Sequence, residues 1–218
     1  MKHTLEMDSL YLECGDRRIL QDIYVKCETG KVTGILGRNG SGKSCLMKIA
    51  LGSMKSYHKS VRVDGKNLLE TNIQKGTINY LHQESFIPKF LKVSEVFKHD
   101  QVDINVFIRL FHECEKIIES KVATISRGEI RLVEIFIILS GASLFSILDA
   151  PFSNLMPLHI ERIIQLINET KMHKGIIITD HLYKHILNVS DELYVLESGN
   201  VFPAKNENEL VRHGYLPG

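Results

Sequence analysis

"KVTGILGRNGSGKSCLMKIALG", Lys31 to Gly52, is the stretch on which the fold turns. Lys31–Leu36 is an apolar run of strand length. Gly37–Ser44 matches G-x-x-x-x-G-K-[ST]. Lys43–Gly52 then has helical apolar spacing and stops at a glycine. Strand, glycine-rich turn and helix in this order make a phosphate cradle. Glycine lets the backbone curl so that its N–H groups point inward at oxygen. The helix start adds partial positive charge. Gly37, Arg38, Asn39, Gly40, Ser41, Gly42, Lys43, Ser44 and Cys45 are the expected nucleotide-binding residues. Lys43 is expected to reach the β- and γ-phosphates, and the Ser44 hydroxyl to ligate Mg²⁺. Cys45 stands where a small residue is wanted and reads as packing.

Outward from the cradle, "SLFSILD" (143–149) and "GIIITD" (175–180) are continuous apolar runs ending in aspartate. That is the pattern of parallel strands buried on both faces. "MPLHIERIIQLINETK" (156–171) between them reads as a helix, so strand–helix–strand alternation predicts a mostly parallel α/β sheet. Asp149, at the end of its strand, is placed to hold Mg²⁺. Two short strands precede the cradle, "SLYLEC" and "ILQDIYVKC", and alternation in the second gives it one wet face. Further short strands are expected at "SVRVDG", "TINYLHQ", "ELYVLES" and "NVFPA", with a terminal helix. From Pro88 onward the pattern turns helical, with "INVFIRLFHECEKIIES" (104–120) as one such run and "SRGEIRLVEIFIILSG" (126–141) as another.

Bulk properties narrow the function. The chain has 218 residues, enough for one domain with a proper core. Its 27 basic and 26 acidic residues leave a net charge of +1, without the basic excess of a nucleic-acid binder, so no nucleic-acid partner is expected. The four cysteines show neither metal-ligand spacing nor a disulfide framework, which suits a reducing cytosol. The start, "MKHTLEMDSLYLE", is not a signal peptide, and no apolar run approaches the ~18–20 residues that span a bilayer.

With these motifs in their order, the chain resembles the ATP-binding subunit of an ABC transporter, over nearly its whole length. Gln83 in "YLHQES" looks like the family's Q-loop glutamine, which contacts Mg²⁺ or the attacking water. "TISRGEIRLVEI" looks like the signature motif. Its Ser126 and Gly128 keep the positions that touch the γ-phosphate of ATP held by a second subunit. His181 in "IIITDH" looks like the switch histidine that grips the γ-phosphate. The resemblance implies a P-loop NTPase core with an N-terminal antiparallel β subdomain. It also implies a helical subdomain inserted at about 85–140 of a single domain spanning 1–218. ATP and Mg²⁺ are the implied cofactors. The implied partners are a transmembrane permease and a second ATP-binding subunit, identical or different. The implied location is peripheral, on the cytoplasmic face of the membrane. The permease-facing surface is expected within residues 83–112, and the short helical subdomain leans toward export.

Four positions depart from the family pattern. Ala150 stands where a glutamate polarises the attacking water, and a methyl group accepts no proton. Met156 replaces an aspartate of the D-loop. Arg127 and Glu129 alter the signature. Cys14 occupies the place of the aromatic that stacks on adenine, and Tyr11, three residues away, is expected on the opposite face of the strand. The expectation is an intact ATP site with weak hydrolysis. The alternative is a non-hydrolysing ATP-binding switch.

Overall fold

The computed structural model describes residues 2–68 and 76–217. The elements in chain order are β1 (Thr4–Cys14), β2 (Arg17–Glu28), β3 (Val32–Leu36), α1 (Lys43–Ala50), β4 (His58–Val63), β5 (Lys66–Asn67) and β6 (Ile78–Leu81). These are followed by α2 (Val93–His99), α3 (Ile104–Leu110), α4 (Arg127–Ser140), β7 (Phe145–Asp149), α5 (Pro157–Thr170) and β8 (Gly175–Thr179). The chain closes with α6 (Tyr183–Val189), β9 (Glu192–Glu197), β10 (Asn200–Ala204) and α7 (Glu207–Arg212).

Two sheets form. The larger has the order β10-β9-β3-β8-β7-β6. Its β3–β8, β3–β9, β7–β8 and β6–β7 pairs are parallel, and only β10 runs antiparallel. The smaller sheet, β2-β1-β4-β5, is antiparallel throughout. A mostly parallel α/β sheet beside an N-terminal antiparallel one is the expected architecture. The first two strands are longer than their sequence suggested, because pairing with each other and with β4 extends both past their apolar cores.

Every residue of β3, β7 and β8 is buried. Layers cover both faces of the large sheet, which is why these strands read as unbroken apolar runs. The central strand faces two cores at once. Val32 and Leu36 join the core under the helices, and Ile35 joins the core under the small sheet.

The helical run expected over 104–120 is interrupted. α3 ends at Phe111, whose backbone leaves helical space (φ −130°, ψ 64°), and His112–Ile117 continues as a 3₁₀ turn. Phe107 and Phe111, one helical turn apart, face inward together at this end, with rings 5.2 Å apart. Phe107 also packs on Phe97 (5.1 Å) and on Phe136 of α4 (5.3 Å). These rings fasten α2 and α3 to α4, and truncating one to alanine costs about 3–5 kcal/mol.

α4 starts with a reciprocal cap. The Ser126 hydroxyl accepts from the Glu129 amide at 3.2 Å, and the Glu129 carboxylate accepts from the Ser126 amide at 2.8 Å. Residues 131–139 of this helix are all buried, charged Arg131 and Glu134 included.

Candidate functional site: a cleft at the phosphate loop

The loop after β3 closes onto α1 through Gly42, which caps the helix in left-handed backbone (φ 106°, ψ 7°). A side chain there would be strained, and its Cβ would stand 2.9 Å from Ile19 Cγ2. Lys43 follows, and its ammonium folds back into the loop. Nζ donates to the carbonyls of Gly37 (2.6 Å) and Arg38 (3.0 Å). Burial pushes this ammonium below its ordinary range, while the carboxylates of Asp149 and Asp180 pull the other way.

A cleft of about 710 Å³ opens beside the loop. It brings together Asn39 through Cys45, Gln83, Asp149, Ala150 and His181, from four separate stretches of the chain. The parallel register explains the meeting. β6, β7 and β8 end at the same edge as β3, so Gln83, Asp149 and His181 arrive where the loop begins. Ligands of open α/β sheets bind at this carboxyl edge of the strands.

Asp149 is buried, and its Oδ2 accepts from the Tyr80 hydroxyl at 3.1 Å. Burial pushes the Tyr80 phenol up, and the adjacent Asp149 carboxylate adds to this, so Tyr80 stays a proton donor. Ala150 is buried at the cleft wall in left-handed backbone (φ 51°). Asp180 is buried behind the histidine. It accepts from the amides of Phe152 (2.9 Å) and Leu182 (3.0 Å), and its Oδ1 lies 3.0 Å from His181 Nδ1. His181 itself is exposed and lines the cleft.

Nucleotide and metal fit what is present. Ser41 and Thr179 line the cleft, and their hydroxyls are buried without hydrogen-bond partners among the described residues. They are donors for an oxygen-rich anion. Ser44, Asp149 and Gln83 offer oxygen ligands with one carboxylate, which suits Mg²⁺ held jointly with phosphate. Among the described residues no group of three or more His, Cys, Asp or Glu side chains is placed to hold a metal by itself.

Several expected residues sit elsewhere. The Arg38 guanidinium donates to the Gly214 carbonyl at 2.5 Å and lines an adjoining cleft that shares Asn39, Gly40 and Ser41 with the first. Only the backbone carbonyl of Arg38 meets Lys43. Ser126 and Gly128 begin α4 away from the cleft, with the Gly128 Cβ position 3.0 Å from the Asn154 carbonyl. Cys14 lines the cleft and Tyr11 does not. Tyr11 packs edge-on against Tyr57 (6.4 Å) and hydrogen-bonds to Glu13.

Sequence reasoning missed Tyr80, Thr179, Asp180 and Arg131. The first three lie within the motifs already noticed, one to three positions from Gln83 or His181. Arg131 and Glu134 carried a different signal: two opposite charges three residues apart inside an apolar helical run.

The family model described as "ABC transporter" matches residues 20–153. A probable ABC transporter ATP-binding protein of Azorhizobium caulinodans is 26% identical over 212 residues, covering 90% of this chain and 75% of the relative. The lipopolysaccharide export system ATP-binding protein LptB of Escherichia coli (strain K12) is 26% identical over 232 residues, covering 98% and 95%. Among solved structures, the ATP-binding subunit of an ABC transporter superposes with TM-score 0.82 at 21% identity, covering 98% of this chain and 95% of that one. An ATP-binding cassette in its ADP conformation gives TM-score 0.75 at 21% identity, covering 96% and 94%.

Proposed function

Because this chain belongs to the ABC transporter family as an ATP-binding subunit, we propose that it binds Mg-ATP in the cleft described above and pairs through that nucleotide with a second ATP-binding subunit. The pair drives a transmembrane permease from the cytoplasmic side of the membrane. Among the described residues no helix is long and apolar enough to cross a membrane. Residues 85–140 form the helical subdomain that meets it. The observation that carries this reading is the convergence of Lys43, Gln83, Asp149 and His181 on one cleft.

The roles follow from the groups. The loop amides and Lys43 hold phosphate oxygens, and the unpartnered hydroxyls of Ser41 and Thr179 add donors. Ser44, Gln83 and Asp149 would hold Mg²⁺, which would supply positive charge beside the phosphates. His181, steadied by buried Asp180, donates to the γ-phosphate. The general base is missing, because Ala150 offers a methyl where a carboxylate would accept the water's proton. Absence of a positioned base slows the step by about 10²–10⁴-fold. Ser126 and Gly128, remote from their own cleft, serve the nucleotide of the second subunit.

A non-hydrolysing switch is the second reading, favoured by Ala150 together with Met156, which is 59% exposed at the start of α5. ATP affinity and ATP-dependent self-association, measured by titration and sedimentation on the full chain, test the shared part of both. Nucleotide binding with dimer formation is expected. A chain that binds no ATP refutes both readings.

A further inference from the structure

We propose that Arg131, buttressed by Glu134, is a positioning residue that locks the two metal-facing chain ends, at Gln83 and Asp149, into one unit. The inference rests on the reading that the cleft binds Mg-ATP.

The pairing of β6 with β7 stops at Leu81↔Leu148. His82 and Asp149 are the next residues, and no rung joins them. The Arg131 guanidinium fills that gap. Its Nη1 donates to the His82 carbonyl at 2.6 Å, and its Nη2 donates to the carbonyls of Asp149 (2.7 Å) and Ala150 (2.9 Å). One planar fork thus replaces a missing rung and ties both strand ends to α4. Glu134 completes the clamp from one helical turn further on. Its Oε2 accepts from Arg131 Nη1 at 3.3 Å, and its Oε1 accepts from the Phe86 amide at 3.1 Å. Gln83 is therefore held on both sides, through His82 before it and Phe86 after it.

Arg131 is 5% exposed and Glu134 1%. A buried ion pair is poor value as packing, since apolar residues of similar volume serve a core as well or better. What the pair supplies here is geometry. Two Nη groups in a fixed plane serve three carbonyls and a carboxylate together, Nε being buried without a partner among the described residues, and a lysine ammonium cannot take the same geometry.

The test compares ATP affinity with Mg²⁺ and with EDTA, for the unaltered chain and for Arg131→Lys, Arg131→Met and Glu134→Gln. Residues that orient metal ligands are typically worth about 10–100-fold in metal affinity. Both Arg131 variants are expected to lose about tenfold or more of the Mg²⁺ advantage, with Mg²⁺-free affinity changed by no more than about twofold. A purely structural role would lower the melting temperature and leave the Mg²⁺ advantage intact, which overturns the inference. Should Arg131→Met fail to fold, Arg131→Lys and Glu134→Gln decide the question in the same way. An unaltered chain that binds no ATP under either condition overturns the reading of the cleft, and the inference with it. That outcome is distinct from an unaltered chain that binds normally beside a variant that loses nothing.

Discussion

The amide of Ala150 donates to the carbonyl of Thr179 at 2.7 Å, the hydrogen bond that closes the last β7–β8 pair, Asp149↔Thr179. The backbone then turns left-handed at Ala150, a conformation that disfavours any residue with a Cβ by about 1–2 kcal/mol. Alanine already bears this cost, so glutamate adds no backbone strain, and its carboxylate enters the cleft. Ala150→Glu is expected to raise ATP turnover by about 10²–10⁴-fold, with the melting temperature little changed. Steady-state phosphate release, read beside a thermal melt, checks both. Turnover that stays flat would favour the switch.

Tyr80→Phe removes the hydroxyl that fixes Asp149 Oδ2. A hydrogen bond to a charged group contributes roughly 1.5–3 kcal/mol. The expected result is weaker Mg²⁺ affinity at fixed ATP, by about tenfold, in a Mg²⁺ titration. No change would mean that the strand end alone orients the carboxylate.

Gly37→Ala tests the tightness of the loop. The added methyl would meet Ser41 Oγ at 2.6 Å and the Leu196 carbonyl oxygen at 2.7 Å. A backbone oxygen at that range cannot yield without moving β9, so the loop must open. We expect a stability loss of about 1–3 kcal/mol and at least tenfold weaker ATP binding. Full binding by this variant would show that the loop tolerates a wider shape.

Glu113 predicts an acid limb. Burial pushes its carboxyl up, but hydrogen bonds from Arg162 and His159 outweigh this and bring it down to about 2. Both Arg162 contacts are 2.8 Å and join the 3₁₀ turn to α5. A depressed carboxylate means that the unfolded chain binds the extra proton between about pH 4.5 and 2. Its contribution is therefore complete above pH 4.5 and is lost as pH falls through that window. The pair is partly exposed, so about 1 kcal/mol is expected after solvent screening. Arg162→Met should destabilise the chain by that amount at pH 7 and flatten this part of its acid-unfolding curve. An unchanged curve would remove Glu113 from the account.

The cradle, Asp149, Gln83 and His181 were legible because each sits in a short motif at a strand end. Parallel strands that finish at one edge bring such motifs together without further instruction. The helix break at Phe111 was not legible, because residues 104–120 contain no Gly or Pro to signal it. Nor was the bridge from Arg131 to His82 and Asp149, which depends on how α4 crosses the sheet. Strand alternation alone does not place Tyr11 and Cys14, because the β1–β2 register shifts between Met7 and Glu13, and the consecutive residues Leu12, Glu13 and Cys14 all line the cleft. Arg38 shows the limit of a motif: the pattern fixes its backbone, while its side chain answers to Gly214.

β3 sends Val32 and Leu36 into one core and Ile35 into the other. Opening either core alone leaves the strand held by the second, so its amides can exchange with deuterium only when the whole chain unfolds. The phosphate loop is thus hung from a strand expected, with β7 and β8, to be among the slowest to exchange. The layer of α2 and α3, which packs on the helix-side core alone, is free to open as a unit of lower stability. A subunit that must grip nucleotide firmly while yielding to a permease needs this unequal distribution of protection.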